Sequence, residues 1–531
     1  MAKTRSNFGL VGLIVAGTVL LVLSIIGLVI IVKSKEFYCS IERYGVVFDA
    51  GSSHTSMAVY QWLDETTNGT GVVSQLAYVR DCTEEGIGFY ADNPEEIVPG
   101  LEKCLDSAEF VLPEFGHWDT PVYLAATAGM RLLTETNPDG SDAIMKTVRS
   151  TLASSPFAFE DQARQAAILS GETEATLGWI SSNYLAGNLG VEPATGDSIN
   201  DLTGSKTIPT KPTVGALDLG GASTQITFIP EDPRKIPVEN RANLRLYGKD
   251  YVVYTHSFSC YGANEARRRV QASLVKGSGF ADVTSNPCAP LGYNYTLTSA
   301  NLWKAPCSAR PNVPGVSDEL MDKTEYQLTG TGDPEECYRI IKTLFDFDAE
   351  CAVPPCTFDG VHLPPPFGAY KAFTGYAYTW SGIGLEPSPT IEEYIEKAEE
   401  FCRLTYSELV LLGKIDKYNL RYCFQSMYVR ALLLDAFKFN QENWNIEFTL
   451  EVNGVTLGWD LGYMVDATNR IPEEAACVGL TPSIFAGLVV IFIVICILGI
   501  VILGLSITNY TKKSGSSKEQ SYQPAPQNVD A

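Results

Sequence analysis

Two long apolar stretches without charged residues lie near the ends of the 531-residue chain. The first covers residues 8–32 and the second surrounds residues 484–507. Each is long enough to cross a bilayer as a helix. The first run is too long for a signal peptide, and no small-residue cleavage site follows it. The pattern predicts transmembrane helices over residues 8–32 and 480–507.

Charges beside the second span indicate the orientation of the chain. Three lysines follow this span and two acids precede it, which favours a cytosolic C-terminus; they are Lys512, Lys513 and Lys518 against Glu473 and Glu474. Charges around the first span are balanced and decide nothing. Because two spans return the chain to the side where it began, we expect cytosolic ends: residues 1–7, and a disordered tail over residues 508–531.

Between the spans, short apolar runs lead twice into a loop of similar composition. One run precedes Asp49-Ala-Gly-Ser-Ser-His-Thr-Ser and the other precedes Asp218-Leu-Gly-Gly-Ala-Ser-Thr-Gln. Glycine allows close approach of the backbone, and successive N–H and hydroxyl groups in such a turn can bind an anion. A single Asp-x-Gly turn usually only reverses the chain, but the repetition favours two loops that grip adjacent phosphates. Each leading aspartate would repel phosphate, so its expected partner is a cation or the water around one.

The elements around the two loops also repeat. Strand, loop, hairpin and then helices occur twice, which predicts an α/β fold of two related lobes with the site between them. We expect lobe I over residues 33–170, completed by residues 450–475, and lobe II over residues 171–449. Among the predicted elements are strands at 59–62, 122–126 and 447–452, helices at 142–152, 178–185, 392–403 and 422–437, a loop over 186–213, and a turn at Asn453-Gly454.

Cysteines and sequons place the region between the spans outside the cell. Ten cysteines lie there besides Cys39, Cys477 and Cys496, an even set without a Cys-x-x-Cys pair, which is typical of disulfides rather than zinc. Sequons at Asn68 and Asn294 predict glycosylation on the same side. A third sequon, at Asn509, lies on the predicted cytosolic side and should stay unmodified.

The net charge of −23 limits the binding partners of this region. An acidic surface disfavours nucleic acids and anionic lipid headgroups, so a polyanionic substrate would need a cation. The chain has four histidines and none is spaced as a ligand pair, which argues against zinc. Calcium or magnesium, with oxygen ligands, is the natural expectation.

Five segments between Tyr44 and Pro472 resemble those of the ecto-nucleoside triphosphate diphosphohydrolases, the apyrase family, in its membrane-anchored cell-surface subgroup. They are DAGSSHTS from Asp49, ATAGMRLL from Ala126, SGETEATLGW from Ser170, ALDLGGASTQ from Ala216 and GWDLGYM from Gly458. The resemblance implies the fold of actin, hexokinase and the heat-shock ATPases, with two ribonuclease-H-like lobes. It also implies hydrolysis of terminal phosphates by an activated water.

Matching to the family gives each site residue an implied role. Glu174 would be the catalytic base, a few residues before the helix that carries Trp179. The phosphates would contact Ser52, Ser53, His54, Thr127, Gly220, Gly221, Ala222 and Ser223. Ser223 and Gln225 would position the water, and Asp49 and Asp218 would hold the metal through water, with Trp459 in its outer shell. Tyr378 and Tyr418 would sandwich the base.

Residue type and position alone also allow ordinary roles for several of these residues. Glu174 could be an exposed acid at a helix N-terminus, and Glu172 is its neighbouring rival. Trp459 could simply pack in the core, and Tyr378 and Tyr418 could be ordinary aromatics.

The chain departs from the family near the catalytic glutamate. Thr173 and Ala175 flank Glu174 where relatives usually carry an acid and a glycine, and Asp460 occupies a usually uncharged position. The family also implies five disulfides: Cys82–Cys104, Cys260–Cys307, Cys288–Cys337, Cys351–Cys356 and Cys402–Cys423.

The sequence therefore predicts a plasma-membrane enzyme that removes terminal phosphates from extracellular nucleoside tri- and diphosphates such as ATP and ADP. Two alternatives stay open: a catalytically inactive nucleotide-binding surface receptor, and a small-molecule kinase on the same fold. Contacts between spans would allow a homo-oligomer. No nucleic acid partner is expected.

Overall fold

The computed structural model describes residues 2–37, 42–64, 66–193, 208–303, 305–308, 325–471 and 482–519. The chain divides into two compact units. One contains Met1–Glu42 and Glu473–Ala531, and the other contains Arg43–Pro472. Cys39, Cys477, Glu473 and Glu474, part of the predicted loop 186–213, and residues 472–475 and 520–531 lie outside the described residues.

The terminal unit contains two long helices that pack against each other, Ala2–Phe37 and Pro482–Glu519. Their apolar parts, Val11–Ile31 and Phe485–Asn509, have mean hydropathies of 3.0 and 3.5 and are long enough to cross a membrane. Gly17 lies against Gly499, where a Cβ atom on Gly17 would stand 3.3 Å from the Gly499 carbonyl oxygen. Such small residues let two membrane helices approach closely.

The prediction of a disordered tail from residue 508 is wrong for its first part, because the C-terminal helix continues to Glu519. No proline interrupts the chain before Pro524, so the helix has no strong stop signal there.

The first sheet of the larger unit has five strands in the order β3-β2-β1-β4-β5. β1 pairs in parallel with β4, and β4 with β5, whereas β2 and β3 are antiparallel. Asp49 lies near the end of β1, opposite Ala125 of β4. The strands are β1 (Glu42–Ala50), β2 (Thr55–Leu63), β3 (Ser74–Thr83), β4 (Val122–Ala126) and β5 (Ala166–Ile168).

The remaining strands are β6 (Gly215–Leu219), β7 (Ser223–Phe228), β8 (Arg241–Leu246), β9 (Lys249–Ser259), β10 (Val283–Asn286), β11 (Asn294–Thr298), β12 (Glu325–Gly330), β13 (Tyr370–Thr374), β14 (Ile446–Phe448), β15 (Glu451–Val452) and β16 (Val455–Thr456). Six of them form a sheet in the order β14-β13-β6-β7-β9-β8. β6 pairs in parallel with β13 and antiparallel with β7, so β6 takes the place that β1 has in the first sheet. The expectation of two related α/β lobes is confirmed, with β8 as an extra edge strand.

The helices of this unit are α1 (Val98–Val111), α2 (Ala128–Thr136), α3 (Pro138–Ala153), α4 (Gln162–Gln165), α5 (Gly171–Leu185), α6 (Ala263–Gly277), α7 (Ser299–Trp303), α8 (Pro334–Lys342), α9 (Gly375–Ile383), α10 (Ile391–Arg403), α11 (Tyr406–Leu411), α12 (Tyr422–Arg430) and α13 (Trp459–Thr468). A π-helix, Ala431–Ala436, continues from α12. Short 3-10 helices cover Ile87–Tyr90, Pro94–Ile97, Glu114–Asp119, Pro233–Lys235, Val238–Asn240 and Asn419–Arg421.

Helices α5 and α13 lie between the two sheets and pack on each other. One hydrophobic cluster contains Val47 of the first sheet, Ala216 of the second, and Trp179 and Met464 of the two helices. The contact is close at Gly462, whose N–H donates to Ser181 Oγ at 2.7 Å. A Cβ atom on Gly462 would stand 2.0 Å from the Leu177 carbonyl oxygen. These two helices therefore join the lobes at their centre.

Three predicted elements have different bounds in the structure. The helix expected from Gly178 begins at Gly171, because Ser170 accepts a capping bond from the Thr173 N–H at 3.1 Å. The helix expected over 422–437 changes to π-helix at Ala431. The strand expected over 447–452 is interrupted after Phe448. There the pairing of β14 with β13 ends, and the chain continues into the β15–β16 hairpin.

The turn of that hairpin is at Asn453-Gly454, as predicted. The two residues have φ values of 55° and 77°, the left-handed conformations that an Asn-Gly hairpin turn requires.

Five disulfides staple the larger unit, and they are the pairs that the family resemblance implies: Cys82–Cys104, Cys260–Cys307, Cys288–Cys337, Cys351–Cys356 and Cys402–Cys423. Four of them lie within residues 171–449, the predicted lobe II. Among the described residues, the free cysteine is Cys496 in the C-terminal helix.

The contact between α5 and α13 predicts the effect of a single added methyl group. Gly462→Ala should lower the free energy of unfolding by about 1–3 kcal/mol, because the methyl group would overlap a backbone carbonyl that cannot move alone. Gly277→Ala is the matched control, since a Cβ atom there would meet no atom within 4 Å. Thermal unfolding of the detergent-solubilised full chain measures both. Equal melting temperatures for the two variants would contradict the packing argument.

Candidate active site

The two glycine-rich loops face each other across the cleft between the sheets. A Cβ atom on Gly221 of the second loop would stand 2.5 Å from Ser52 Oγ and 2.9 Å from Ser53 Oγ of the first. Only a residue without a side chain allows this approach. The sequence prediction that the loops grip adjacent groups therefore has a geometric basis.

Backbone donors in the two loops are available to a ligand. Carbonyl oxygens of the second loop accept bonds from the start of α6; for example, Gly220 O accepts from the Ala263 N–H at 2.9 Å. Within the described part of the chain, the loop amides without a protein acceptor include those of Ser52, Ser53, Gly221 and Ala222. Such clustered N–H groups favour an anion. His54 adds no cation near neutral pH, because burial lowers the pKa of its imidazole.

Asp49 and Asp218 lie at corresponding places in the two sheets, near the ends of β1 and β6. The pKa of Asp218 is raised to about 7, mainly by burial and next by the field of Glu174, while the Thr374 hydroxyl, which donates to Oδ1, acts in the opposite direction. For Asp49, burial and then the fields of Asp460, Glu174 and Asp218 raise the pKa well above its ordinary value.

Asp460 is a further buried acid near Asp49. It is buried in the first turn of α13, and Tyr60 OH donates to its Oδ2 at 2.9 Å. Burial raises its pKa. Because its charge is the largest ionic contribution to the raised pKa of Asp49, Asp460 belongs electrostatically to the same cluster.

These acids fit a hard divalent cation by their chemistry. The cluster consists of carboxylates whose charges oppose one another, and Asp49 Oδ1 is enclosed without a hydrogen-bond partner among the described residues. Calcium and magnesium prefer such oxygen donors. In the part of the chain that the structure describes, no three His, Cys, Asp or Glu residues converge to hold a metal directly. Asp49 and Asp218 would therefore act partly through water.

Trp459 packs in the core, one of the two roles that the sequence left open, and it also lies beside Asp49. It is buried and its ring packs on Tyr463, with 6.2 Å between centroids. Its indole also hydrogen-bonds Asp49, which lowers the pKa of that acid against the larger raising effects.

Glu174 lies in the first turn of α5 itself, so the expectation that it precedes the helix of Trp179 is wrong. It is also no exposed acid, since its residue is only 7% exposed. Burial raises its pKa, and Arg131 opposes that effect. The rival Glu172 is half-buried, and its charge acts on His256 and on Glu174 but is not among the causes of the raised pKa values of Asp49 and Asp218. Of the two acids, Glu174 is the one within the carboxylate cluster.

Arg131 is the main functional candidate that sequence reasoning missed. Its guanidinium donates from Nη1 to Glu174 Oε2 at 2.8 Å and to the Leu169 carbonyl at 3.0 Å, and from Nη2 to Ser223 Oγ at 3.1 Å. It follows Thr127 by four residues at the start of α2, so both lie on one helix face. The spacing of four residues between Thr127 and Arg131 in the ATAGMRLL segment was the sequence signal that could have identified Arg131.

Ser223 and Gln225 lie together at the start of β7, both buried. Gln225 Nε2 donates to Ser223 Oγ at 2.6 Å and to Ser257 Oγ at 3.1 Å, while its Oε1 has no partner among the described residues. Ser223 Oγ thus receives bonds from Gln225 and Arg131, next to Glu174. Thr127 is buried nearby and bonds the first loop, its N–H donating to Ala50 O at 3.2 Å.

Thr374 is a second missed residue. It ends β13, opposite Leu219 in the parallel pairing with β6, and has a strained φ of +50°. Besides donating to Asp218, its hydroxyl oxygen accepts from the Leu219 N–H at 3.0 Å. The Thr374 hydroxyl, although its backbone is strained, therefore helps to hold the aspartate of the second loop in place.

Tyr378 and Tyr418 lie on the surface of the second lobe, 40% and 51% exposed. Both tyrosines contribute to the raised pKa of Tyr422, so they lie in the same region of the lobe. A cation stands over each ring: Arg80 is 5.6 Å from the Tyr378 centroid, and Lys417 is 5.2 Å from the Tyr418 centroid. Exposed faces of this kind suit stacking better than core packing.

Comparison with known proteins agrees with this geometry. The model of the GDA1/CD39 (nucleoside phosphatase) family matches residues 38–479. The chain belongs to this family. It is 35% identical to ectonucleoside triphosphate diphosphohydrolase 3 of Mus musculus, over 100% of this chain and 97% of the relative. It is also 38% identical to ectonucleoside triphosphate diphosphohydrolase 8 of Gallus gallus, over 92% and 97%.

A bovine member, ectonucleoside triphosphate diphosphohydrolase 1 of Bos taurus, shares 38% identity over 87% of this chain and 88% of its own. Among solved structures, a nucleoside triphosphate hydrolase from Neospora caninum superposes with a TM-score of 0.58 at 17% identity, covering 84% of this chain and 95% of that one. That likeness shows the shared fold.

The acid cluster of this family member predicts a pH-dependent response to cations. Asp218 has a folded pKa of about 7 against an ordinary value of 3.8, so stability contributed by this group falls as pH rises between them. With a chelator, the melting temperature should therefore be higher near about pH 5.5 than near about pH 8. Added calcium or magnesium should raise it more at the alkaline pH, where the carboxylates are charged.

Asp218→Asn provides the control for that prediction. The variant should lose much of the pH dependence and most of the cation-induced stabilisation, because it removes one charge from the cluster. A wild-type response to cation that is the same at both pH values would contradict the assignment.

Proposed function

We propose that this chain hydrolyses the terminal phosphates of nucleoside tri- and diphosphates, such as ATP and ADP, with Glu174 as the base that activates water. The arrangement of Glu174, Arg131 and Ser223 beside the two facing loops carries the proposal. The names of the relatives support the substrate class.

The loops would bind the phosphates through their free N–H groups. Ser52, Ser53 and His54 suit one phosphate, and Gly220, Gly221 and Ala222 suit its neighbour. Asp49 and Asp218, with Trp459 outside them, would hold a calcium or magnesium ion mainly through water. Such an ion, when bound, neutralises charge on phosphate oxygens and orients the terminal phosphate for in-line attack.

Glu174 would take the proton from the attacking water. The water oxygen forms a bond to the terminal phosphorus, the bridging phosphorus–oxygen bond breaks, and the leaving phosphate keeps that oxygen. Ser223 and Gln225 would orient the water, since Gln225 Oε1 is an unused acceptor in this region. Arg131 would act as a positioning residue: its ion pair keeps Glu174 ionised despite burial and fixes its carboxylate beside Ser223.

Tyr378 and Tyr418 would stack on the two faces of the base. Aromatic faces stack on every base, so this recognition accepts a range of nucleotides. Their exposure supports this role.

The larger unit would stand outside the cell, with both chain ends in the cytosol. Two apolar terminal helices, five disulfides, and exposed asparagines in the sequons at Asn68 and Asn294 support this topology for a plasma-membrane enzyme.

Replacing the base tests the mechanism. Glu174→Gln keeps the size of the side chain but cannot accept a proton, so phosphate release from ATP and ADP with calcium or magnesium should fall by about 10²-fold or more. Glu172→Gln is the control and should keep most activity. Release that survives Glu174→Gln would exclude the base assignment. No release by the wild type would favour a receptor, and a requirement for an added hydroxyl acceptor would favour a kinase.

The role of Arg131 can be tested through the pH profile of activity. Without its charge, Arg131→Gln should raise the pKa of Glu174, so the acidic limb of the activity profile moves to higher pH and turnover at neutral pH drops. Arg131→Lys keeps a charge and should restore part of the shift. The measurement is phosphate release across pH for the three proteins. A lower rate with an unmoved limb would show that Arg131 has only a structural role.

A further inference from the structure

A cavity of about 310 Å³ lies in the second lobe, away from the carboxylate cluster. It is bounded by α6, β11 and the 3-10 helix Asn419–Arg421, and its lining includes Arg267, Arg421, Lys417, Tyr293, Tyr295 and Asn301. Every charged residue of the lining is a cation. In a chain with a net charge of −23, such a cavity is unexpected.

The arginines in this cavity lack acidic partners. No ion pair joins Arg267, Arg421 or Lys417 to a carboxylate within the described ranges. Arg267 Nε is buried and makes no hydrogen bond to those residues.

The next two arginines of α6 behave differently. Arg268 pairs with Glu265, and Arg269 donates to the Cys260 and Leu344 carbonyls at 3.2 and 3.0 Å. Within this run of three arginines, Arg267 is thus the one with neither a carboxylate nor a carbonyl partner among the described residues.

The two arginines also repel each other. Burial, and next the field of Arg421, lower the pKa of Arg267 to about 10, and burial lowers the pKa of Arg421. Lowered values mean that the charged forms are destabilised where they stand. An anion between them would relieve both effects, because a buried charge is stabilised by a paired and hydrogen-bonded partner.

Polar groups of the wall complete a set of donors. Tyr295 OH accepts from Gln271 Nε2 at 3.0 Å and from Asn286 Nδ2 at 2.7 Å, so its own proton is available to another acceptor. Tyr293 stacks on Tyr295, with 5.1 Å between ring centroids, and forms an aromatic wall. Guanidinium and phenol donors suit an anion with several acceptor oxygens.

We propose that this cavity is an anion site for a phosphate group, carried either by free orthophosphate or by a nucleotide. The choice of phosphate rests on the proposed function. Arg421 bonds Asn264 Oδ1 at 3.4 Å, and Asn264 Nδ2 bonds Ser53 Oγ of the first loop at 3.2 Å. Two consecutive hydrogen bonds therefore connect the cavity to the first loop, where phosphates would be bound and released. A volume of this size is at the small end of ligand pockets.

Binding to the full-length protein in detergent, with a chelator present, tests the proposal. Without divalent cations, phosphate binding in the catalytic cleft is weakened, and the Arg267 variant distinguishes binding in the cavity from any binding that remains at the two loops. Sodium orthophosphate and AMP are titrated separately at constant ionic strength, by calorimetry and by the shift in melting temperature. Saturable binding of orthophosphate identifies the free ion as the ligand, and binding of AMP alone identifies the phosphate of a nucleotide.

Arg267→Gln should weaken that binding at least tenfold, and Lys276→Gln should leave it unchanged. Lys276 is the matched control because it is an exposed cation on the same helix, outside the cavity. In phosphate-free buffer, Arg267→Gln should melt at the same or a higher temperature than the wild type, since it removes a repulsion. Arg421→Gln tests the site independently if Arg267→Gln does not fold.

Absence of saturable binding of both probes to the wild type, or equal affinities of the wild type, Arg267→Gln and Arg421→Gln, would overturn the proposal. Loss of binding in Arg267→Gln with retention in Lys276→Gln separates this site from the catalytic one, because both variants leave the two loops and Glu174 unchanged. Nucleotide hydrolysis with magnesium is measured on the same preparations. A protein that binds phosphate but releases none from nucleotides would refute the proposed function and leave the anion site standing.

Discussion

The crowding of carboxylates at the centre of the cleft is the constraint on which the rest of the structure depends. Asp49, Asp218, Glu174 and Asp460 all have pKa values raised by burial, and three of them are raised further by the charge of a neighbouring acid. Burying like charges costs stability that hydrophobic packing elsewhere must offset. A site built this way would favour a bound cation, because the protein alone leaves the charges of the cluster uncompensated.

The fold supplies these acids from separate elements. Each sheet delivers an aspartate near the end of a central strand, and α5 and α13 deliver Glu174 and Asp460 from their first turns. The two glycine-rich loops are alike in sequence but differ in their surroundings. Thr374 restrains the second aspartate, whereas Trp459 bonds the first. A duplicated architecture thus produces one asymmetric centre.

Much of this could be predicted from the sequence, because the signals were local. The strand-to-loop repeats, the Asn453-Gly454 turn and the spans each occupy a short window in which residue type decides conformation. The roles of Arg131 and Thr374 were not predictable in this way. Their partners lie 43 and 156 residues away, and only the packing of α2 and β13 brings them together. The bond between Tyr60 and Asp460 spans 400 residues and gave no sequence signal.

The position of α5 and α13 between the sheets has a mechanical consequence. Both helices share one hydrophobic cluster with the two sheets, and Gly462 keeps them in close contact. If one sheet rotated against the other, the axis of rotation would lie near this pair of helices. Atoms near the axis, including the Glu174 carboxylate, would move little, while the gap between Gly221 and the two loop serines would change most. Under the proposed function, such a rotation would release phosphate from the two loops while the proposed base stays in place.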